Sequence, residues 1–383
     1  MNLIVNCQKV AFKSALGVPG VLVNLCTALS EKHNLIFVVN RLEDIQNSPL
    51  RGVIEHAAHE IILVDAAKKR ASAFKREAIE LLPHHFQGPD FCDRSILICH
   101  DLHIYDIAWK YPNVEVMRET FKQNMTRATA VVTHFPRTYY ALERIAGLTL
   151  MNLFLTESPL MFDTSEIAES GPHASPYSGQ FCELLYPGQL QAHKNHEGLM
   201  RGLQRLKERG RTVRILCPGS DFTPDLTAHL KALTRQYGVE QELTFPGYVS
   251  DGELMEMYRH CHGVIVPSLA EGGAYVPMEA IAARKPVAVH QIEQARMHVT
   301  AMAGKVIWFD AADTEQTANA IEQLADADHK VWFDRNALAR ERIRQMTWDS
   351  VAEKWNILID WLSGRRERPV LSVGRDGWGI VYQ

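Results

Sequence analysis

Two glutamates, Glu271 and Glu279, bracket a stretch built like a phosphate site: Glu271-Gly272-Gly273-Ala274-Tyr275-Val276-Pro277-Met278-Glu279. An apolar strand ends near Val266, a loop with two glycines follows, and a helix opens near Tyr275, with Pro277 tolerated in its first turn. Unpaired amides at a helix start attract an anion. A carboxylate accepts hydrogen bonds from neighbouring hydroxyls, so one on either side of a phosphate site suits a ligand with a sugar at each end, as in a nucleotide sugar. The plain alternative is a helix start whose acidic residues complement the dipole.

In its full context the stretch resembles the E-x7-E signature of the family 4 retaining glycosyltransferases of GT-B fold, written E-G-F-G-x-P-x-x-E-A-x-A. Glu271 and Glu279 match its acidic positions, and Gly272, Pro277, Ala280 and Pro286-Val287 fit around them. Phe245-Pro246-Gly247-Tyr248-Val249 with Leu254 and Tyr258 resembles the F-x-G-x-v…L…Y segment, and Trp308-Phe309-Asp310 fits a later strand end. Tyr186-Pro187-Gly188-Gln189-Leu190 with Lys194-Asn195 is similar to the G-x-L…K-N motif. The likeness is good over Glu183–Leu324 and weak over the first 150 residues.

The resemblance implies roles. Glu271 would hold hydroxyls of the transferred sugar and Glu279 the ribose diol. Lys194 would neutralise the departing diphosphate, helped by amides around Gly273 to Tyr275. The sequence is read as holding no Asp-x-Asp triad, which fits a metal-independent enzyme without a cofactor. Its donor would be a GDP- or UDP-linked sugar, and GDP-mannose is the first to try. Gly273 stands where the family has Phe, Ala274 where it has a second Gly, and Gln189 where many members carry an Arg. Phosphate stabilisation would then fall more heavily on Lys194, with His193 either helping it or standing as an exposed loop histidine. In the N-terminal half, Gly17-Val18-Pro19-Gly20 resembles the acceptor-side G-x-x-G loop, where glycine lets backbone approach a ligand. His100-Asp101 follows the strand Ile96–Cys99 as the family's H-D does: His100 would contact the transferred sugar or the acceptor, with Asp101 orienting its ring. A buried structural histidine is the alternative. His84-His85, His103, His134, His260 and His262 show no metal-ligand spacing.

The elements that must position these residues alternate along the chain. Strands are expected at Leu3–Asn6, Leu35–Val39, Ile61–Val64, Ile96–Cys99, Ala130–Thr133 and Met151–Leu155, separated by helical periodicity over Val18–Glu31, Ala67–Leu82, Val116–Met125 and Arg137–Ile145. Strands alternating with helices imply a parallel, doubly wound α/β sheet. Turn-forming residues then interrupt the rhythm, and the alternation restarts with strands at Glu183–Tyr186, Val213–Leu216, Leu243–Phe245, Gly263–Val266, Val287–His290 and Val306–Phe309. Helices are expected between them at Glu197–Glu208, Leu226–Tyr237, Asp251–Cys261, Tyr275–Ala283 and Thr314–Leu324, and helix continues after Asp326 to about Leu362. The expected organisation is a GT-B pair of Rossmann-like domains facing a cleft. Residues 1–165 form the acceptor side, 166–180 the linker and 181–345 the donor side; 346–363 form a helix packing back on the first domain, and 364–383 the tail.

Composition agrees with two ordinary cores. The chain has 383 residues, 46% of them hydrophobic, and 41 basic side chains set against 45 acidic ones. That balance argues against a nucleic-acid partner, and no apolar run approaches the ~20 residues needed to span a bilayer. The N-terminus reads as a first strand, so a cytoplasmic chain is expected. Lys68-Lys69-Arg70 and Lys75-Arg76, on a helix with Ala71, Phe74, Ala78 and Ile79, are either a solvated face or a peripheral contact with anionic membrane. The seven cysteines form no C-x-x-C pair and should be reduced. The expectation is a retaining hexosyltransferase, mannose first, acting on a glycan or lipid-linked glycan in surface polysaccharide assembly. The rivals are an inactive nucleotide-sugar-binding subunit and another GT-B enzyme such as an epimerase or phosphorylase.

Overall fold

The structure is a computed structural model that describes residues 1–12, 17–160, 182–223, 225–372 and 380–382. The linker expected over residues 166–180 lies outside the described residues. The chain divides into two compact units: Met1–Met161 together with Met346–Gln383, and Phe162–Gln345.

In the first unit the strands are β1 Asn2–Asn6, β2 Asn34–Val39, β3 Glu60–Leu63, β4 Ala78–Leu82, β5 Ser95–Cys99, β6 Ala130–Thr133 and β7 Leu153–Leu155. They form one parallel sheet in the order β3-β2-β1-β4-β5-β6-β7. Both faces are covered, so β4 and β5 are buried at every position, with Glu80 the charged exception to an otherwise apolar β4. On β1, Leu3 and Val5 face a core shared with the helices Val18–Ser30 and Trp348–Leu362, while Ile4 faces the opposite core with Phe74. The helix Trp348–Leu362, opened by a capping box of Thr347 and Ser350, sinks Trp355 completely into the first of these cores.

One stretch departs from the sequence reading, which carries a single helix from Ala67 to Leu82. The helix spans Val64–Glu77, and Ala78–Leu82 is a central strand between β1 and β5. Ala-Ile-Glu-Leu-Leu has at least as much helix as strand propensity, and no Gly or Pro separates it from the preceding helix. Burial between two neighbouring strands decides it. The carboxylate of Glu80 is tolerated there because it accepts hydrogen bonds from Asn6 Nδ2 at 2.7 Å and from the amides of Asp90, Phe91 and Cys92 at 3.0, 2.8 and 3.1 Å.

The second unit holds β8 Cys182–Leu185, β9 Val213–Pro218, β10 Leu243–Gly247, β11 Gly263–Val266, β12 Val287–His290 and β13 Ile307–Phe309. Its sheet is again parallel, in the order β10-β9-β8-β11-β12-β13. An additional helix, Glu293–Ala301, follows β12, and the helical stretch after Asp326 is three helices, His329–Arg335, Ala337–Gln345 and Trp348–Leu362. In the tail, Leu371–Ser372 pairs antiparallel with Val381–Tyr382, and the Tyr382 hydroxyl donates to the Leu155 carbonyl at 2.8 Å. All seven cysteines are free thiols. Among the described residues, no helix is long and apolar enough to cross a membrane.

Candidate functional site

Strands β8 and β11 are neighbours at the centre of the second sheet, and the chain leaves them in opposite directions, β8 toward β9 and β11 toward β12. Such a switch point opens a crevice beyond the carboxyl ends of the strands, where doubly wound sheets bind ligands. Lys194 lies in the connection after β8 and Glu271 in the connection after β11. Several bonds fasten the two loops together. The Tyr186 hydroxyl donates to the Lys194 carbonyl at 2.9 Å and lies 2.7 Å from Ser268 Oγ. The Leu269 amide donates to the His193 carbonyl at 2.8 Å, and Asn195 Nδ2 donates to the Pro267 carbonyl at 3.3 Å. Asn195 also caps the helix His196–Glu208, its Oδ1 accepting from the Gly198 amide at 3.2 Å. On this frame, Lys194 Nζ meets Glu271 Oε1 at 2.7 Å. The two side chains are 14% and 17% exposed, so the pair is held in place yet open to a ligand.

Glu279 sits one turn inside the helix Tyr275–Ala282, buried, and accepts a hydrogen bond from the Tyr258 hydroxyl at 2.6 Å. Burial pushes its carboxyl up to about 7, against the opposing pull of the Tyr258 bond and the Lys194 charge. The loop between the glutamates is tied at its far end as well: the Ala274 amide donates to His298 Nδ1 at 2.9 Å. That amide is therefore committed within the protein, which corrects the expectation that it would join Gly273 and Tyr275 in facing a phosphate. Gly272 and Tyr275 are half-buried and Gly273 is buried.

Beneath Lys194, two backbone turns lie in close contact. A Cβ at Gly219 would stand 1.9 Å from the Gly188 carbonyl oxygen, so only glycine lets the loop after β9 pass under the Gly188 turn. Sequence reasoning missed Gly219 because its requirement arises from a neighbouring loop. It missed His298 for the same reason, and it met Tyr258 only as a motif letter. Gln189 is exposed, its Oε1 accepting from Gln191 Nε2 at 2.9 Å. His193 is 3% exposed, which corrects the reading of an exposed loop histidine: its backbone is pinned under Leu269.

The remaining expected residues lie in the first unit. Gly17 precedes the helix Val18–Ser30 with φ 68, a left-handed conformation that favours glycine. His100 follows β5, is buried, and donates from Nε2 to the Pro83 carbonyl at 2.8 Å; burial lowers its pKa to about 4. Its ring lies 5.9 Å from that of His134, whose Nδ1 is 2.9 Å from Thr156 Oγ1. Asp101 accepts from the His103 amide at 2.9 Å and so serves the next turn, whereas the expectation had it orient His100. Among the described residues, no group of His, Cys, Asp and Glu is arranged to hold a metal ion. The expectation that the sequence holds no Asp-x-Asp is corrected: Asp326-Ala327-Asp328 is one, and both of its carboxylates have partners within the protein. Asp326 pairs with Arg211 at 2.6 Å, and Asp328 caps the helix His329–Arg335.

Residues 178–341 match the family described as Glycosyl transferases group 1. Over 172 residues the chain is 26% identical to an uncharacterised glycosyltransferase of Methanocaldococcus jannaschii, covering 45% of this chain and 43% of that protein. It is 30% identical over 175 residues to the D-inositol 3-phosphate glycosyltransferase of Corynebacterium diphtheriae, covering 45% of this chain and 40% of that one. The matched part thus spans about two fifths of the length of these curated relatives. The Anabaena protein HepE, solved in complex with UDP-glucose, superposes with a TM-score of 0.70 at 13% identity, covering 94% of this chain and 99% of that chain. The fold is GT-B, and the resemblance to its family 4 glycosyltransferases holds.

Proposed function

We propose that this chain is a retaining glycosyltransferase that moves a hexose from a nucleotide-diphosphate sugar to a glycan or lipid-linked glycan acceptor, without a metal. The observation that carries the reading is the Lys194–Glu271 pair, 2.7 Å apart at the switch point of the second sheet and beside the start of the helix bearing Glu279. Lys194 is the cation for a diphosphate, Glu271 the acceptor for sugar hydroxyls, and Glu279 the acceptor for the ribose diol. Lys194 and Glu271 neutralise each other across 2.7 Å. An arriving donor replaces both partners at once: its diphosphate takes Lys194, and its hexose hydroxyls take Glu271.

In the reaction the bond between the sugar C1 and the diphosphate oxygen breaks, and the acceptor oxygen bonds to C1 on the same face. The acceptor's proton passes to the departing diphosphate, whose developing charge Lys194 stabilises. GDP-mannose and UDP-glucose are the donors to test first, the second because HepE, of the same fold, was solved with it. A thermal-shift screen of the intact chain against GDP-mannose, UDP-glucose and ADP-glucose checks the reading. One donor is expected to raise the melting temperature saturably, with its nucleoside diphosphate doing so more weakly; no shift with any of the three contradicts it.

Peripheral membrane contact also belongs to this proposal, with charge as its only basis. Ala67 and Phe74 of the basic helix are buried in the first unit, and Arg70 is paired with Glu60 at 2.7 Å. Binding to anionic vesicles is therefore expected to vanish at high salt. Binding that survives high salt contradicts a purely electrostatic contact.

A further inference from the structure

The loop Glu271-Gly272-Gly273-Ala274 has little stiffness of its own, because two adjacent glycines leave its backbone the widest choice of path. Its course is set by its two ends. At one end Glu271 is held by Lys194. At the other, the helix Tyr275–Ala282 begins at Ala274 without any side-chain cap of its own, and the Ala274 amide points into the protein. A buried amide needs an acceptor, and the one it finds is Nδ1 of His298, 2.9 Å away on the helix Glu293–Ala301. To accept at Nδ1 the ring must be neutral and carry its proton on Nε2. The surroundings agree: His298 is 8% exposed, and burial lowers its pKa to about 4. The turn that ends the second helix is itself closely packed, since a Cβ at Gly304 would stand 2.9 Å from Val299 Cγ1, beside His298, and 3.1 Å from Ile281 Cδ1 near the end of the first helix.

We propose that His298 is a positioning residue for the nucleotide-sugar site: by accepting the Ala274 amide it holds the Gly272-Gly273 loop in the path that aims Glu271 and the start of the Glu279 helix at the donor. The proposal rests on the glycosyltransferase reading for its ligand, but the loop's order is measurable without one. His298→Leu removes the acceptor and keeps the apolar bulk; His298→Asn places an amide oxygen where Nδ1 was and restores the bond.

The test reads two quantities on the intact protein and both variants: hydrogen exchange of the segment containing Ala274, and affinity for UDP-glucose and GDP-mannose by calorimetry. His298→Leu is expected to speed exchange at Ala274 at least tenfold and to weaken the donor that binds by about tenfold. His298→Asn is expected to return both toward wild type, and a structural role alone would not give that joint rescue. Wild-type exchange and donor affinity in His298→Leu overturn the proposal, as does a His298→Asn variant no better than His298→Leu. If the wild-type protein binds neither donor, the functional reading fails instead. Exchange at Ala274 then decides by itself whether His298 orders the loop.

Discussion

Buried against Tyr258, Glu279 brings a titration near neutrality into the folded protein, and the sign of its effect follows from its direction. Its folded value, about 7, lies above the ordinary 4.5 of a free glutamate, so the folded chain holds the proton more tightly than the unfolded chain. Stability from this group is full below about pH 4.5 and is lost as pH rises through 7. Glu279→Gln keeps an acceptor for Tyr258 and loses the titration. The nucleotide-free variant should match wild type in urea denaturation near pH 4.5 and exceed it by about 3 kcal/mol above pH 8. An advantage that is constant with pH would refute the buried-carboxyl assignment. At Glu271 the electrostatics run differently. Removing it leaves Lys194 without its 2.7 Å partner, so Glu271→Ala should abolish transfer while nucleoside diphosphate binds as well as to wild type or better. Equal loss of transfer and diphosphate binding would remove Glu271 from the sugar-contact role.

Among the elements, the loops after β8, β9 and β11 act as one unit, and Gly219 is where that shows most sharply. Gly219→Ala sets a methyl 1.9 Å from the Gly188 carbonyl oxygen, and its expected cost in denaturant titration is about 2 kcal/mol or more, with weaker donor binding because Lys194 stands above that turn. Wild-type stability would mean that the two turns separate freely. All six strands of the second sheet were legible, because each is a short run of mostly β-branched and other apolar residues between turn residues. In the first sheet β4 was not: Ala78–Leu82 continues a helix without a breaker, and only its neighbours β1 and β5 make it a strand. Glu271, Glu279 and Lys194 stood out through spacing and resemblance. Gly219 and His298 act through contacts made by other segments, of which a one-dimensional pattern carries no trace, and Tyr258 appeared in it as a motif letter without its bond to Glu279.

For the molecule as a whole, the sequence balance of 41 basic against 45 acidic side chains conceals a local arrangement. One cation is held by one carboxylate at the centre of the second unit, while the basic helix of the first unit keeps Ala67 and Phe74 inside. Charge stabilisation by Lys194 and backbone amides alone predicts turnover that is indifferent to EDTA; loss of activity with the chelator, regained on adding a divalent ion, would contradict that part of the account. The most direct test of the central claim is release of nucleoside diphosphate by the intact chain from whichever donor raises its melting temperature, measured beside Lys194→Ala. The account predicts release by wild type and, for the variant, diphosphate affinity weaker by about 10- to 100-fold, the worth of a charge-assisted hydrogen bond. A Lys194→Ala protein that binds and turns over the donor as wild type does would contradict it.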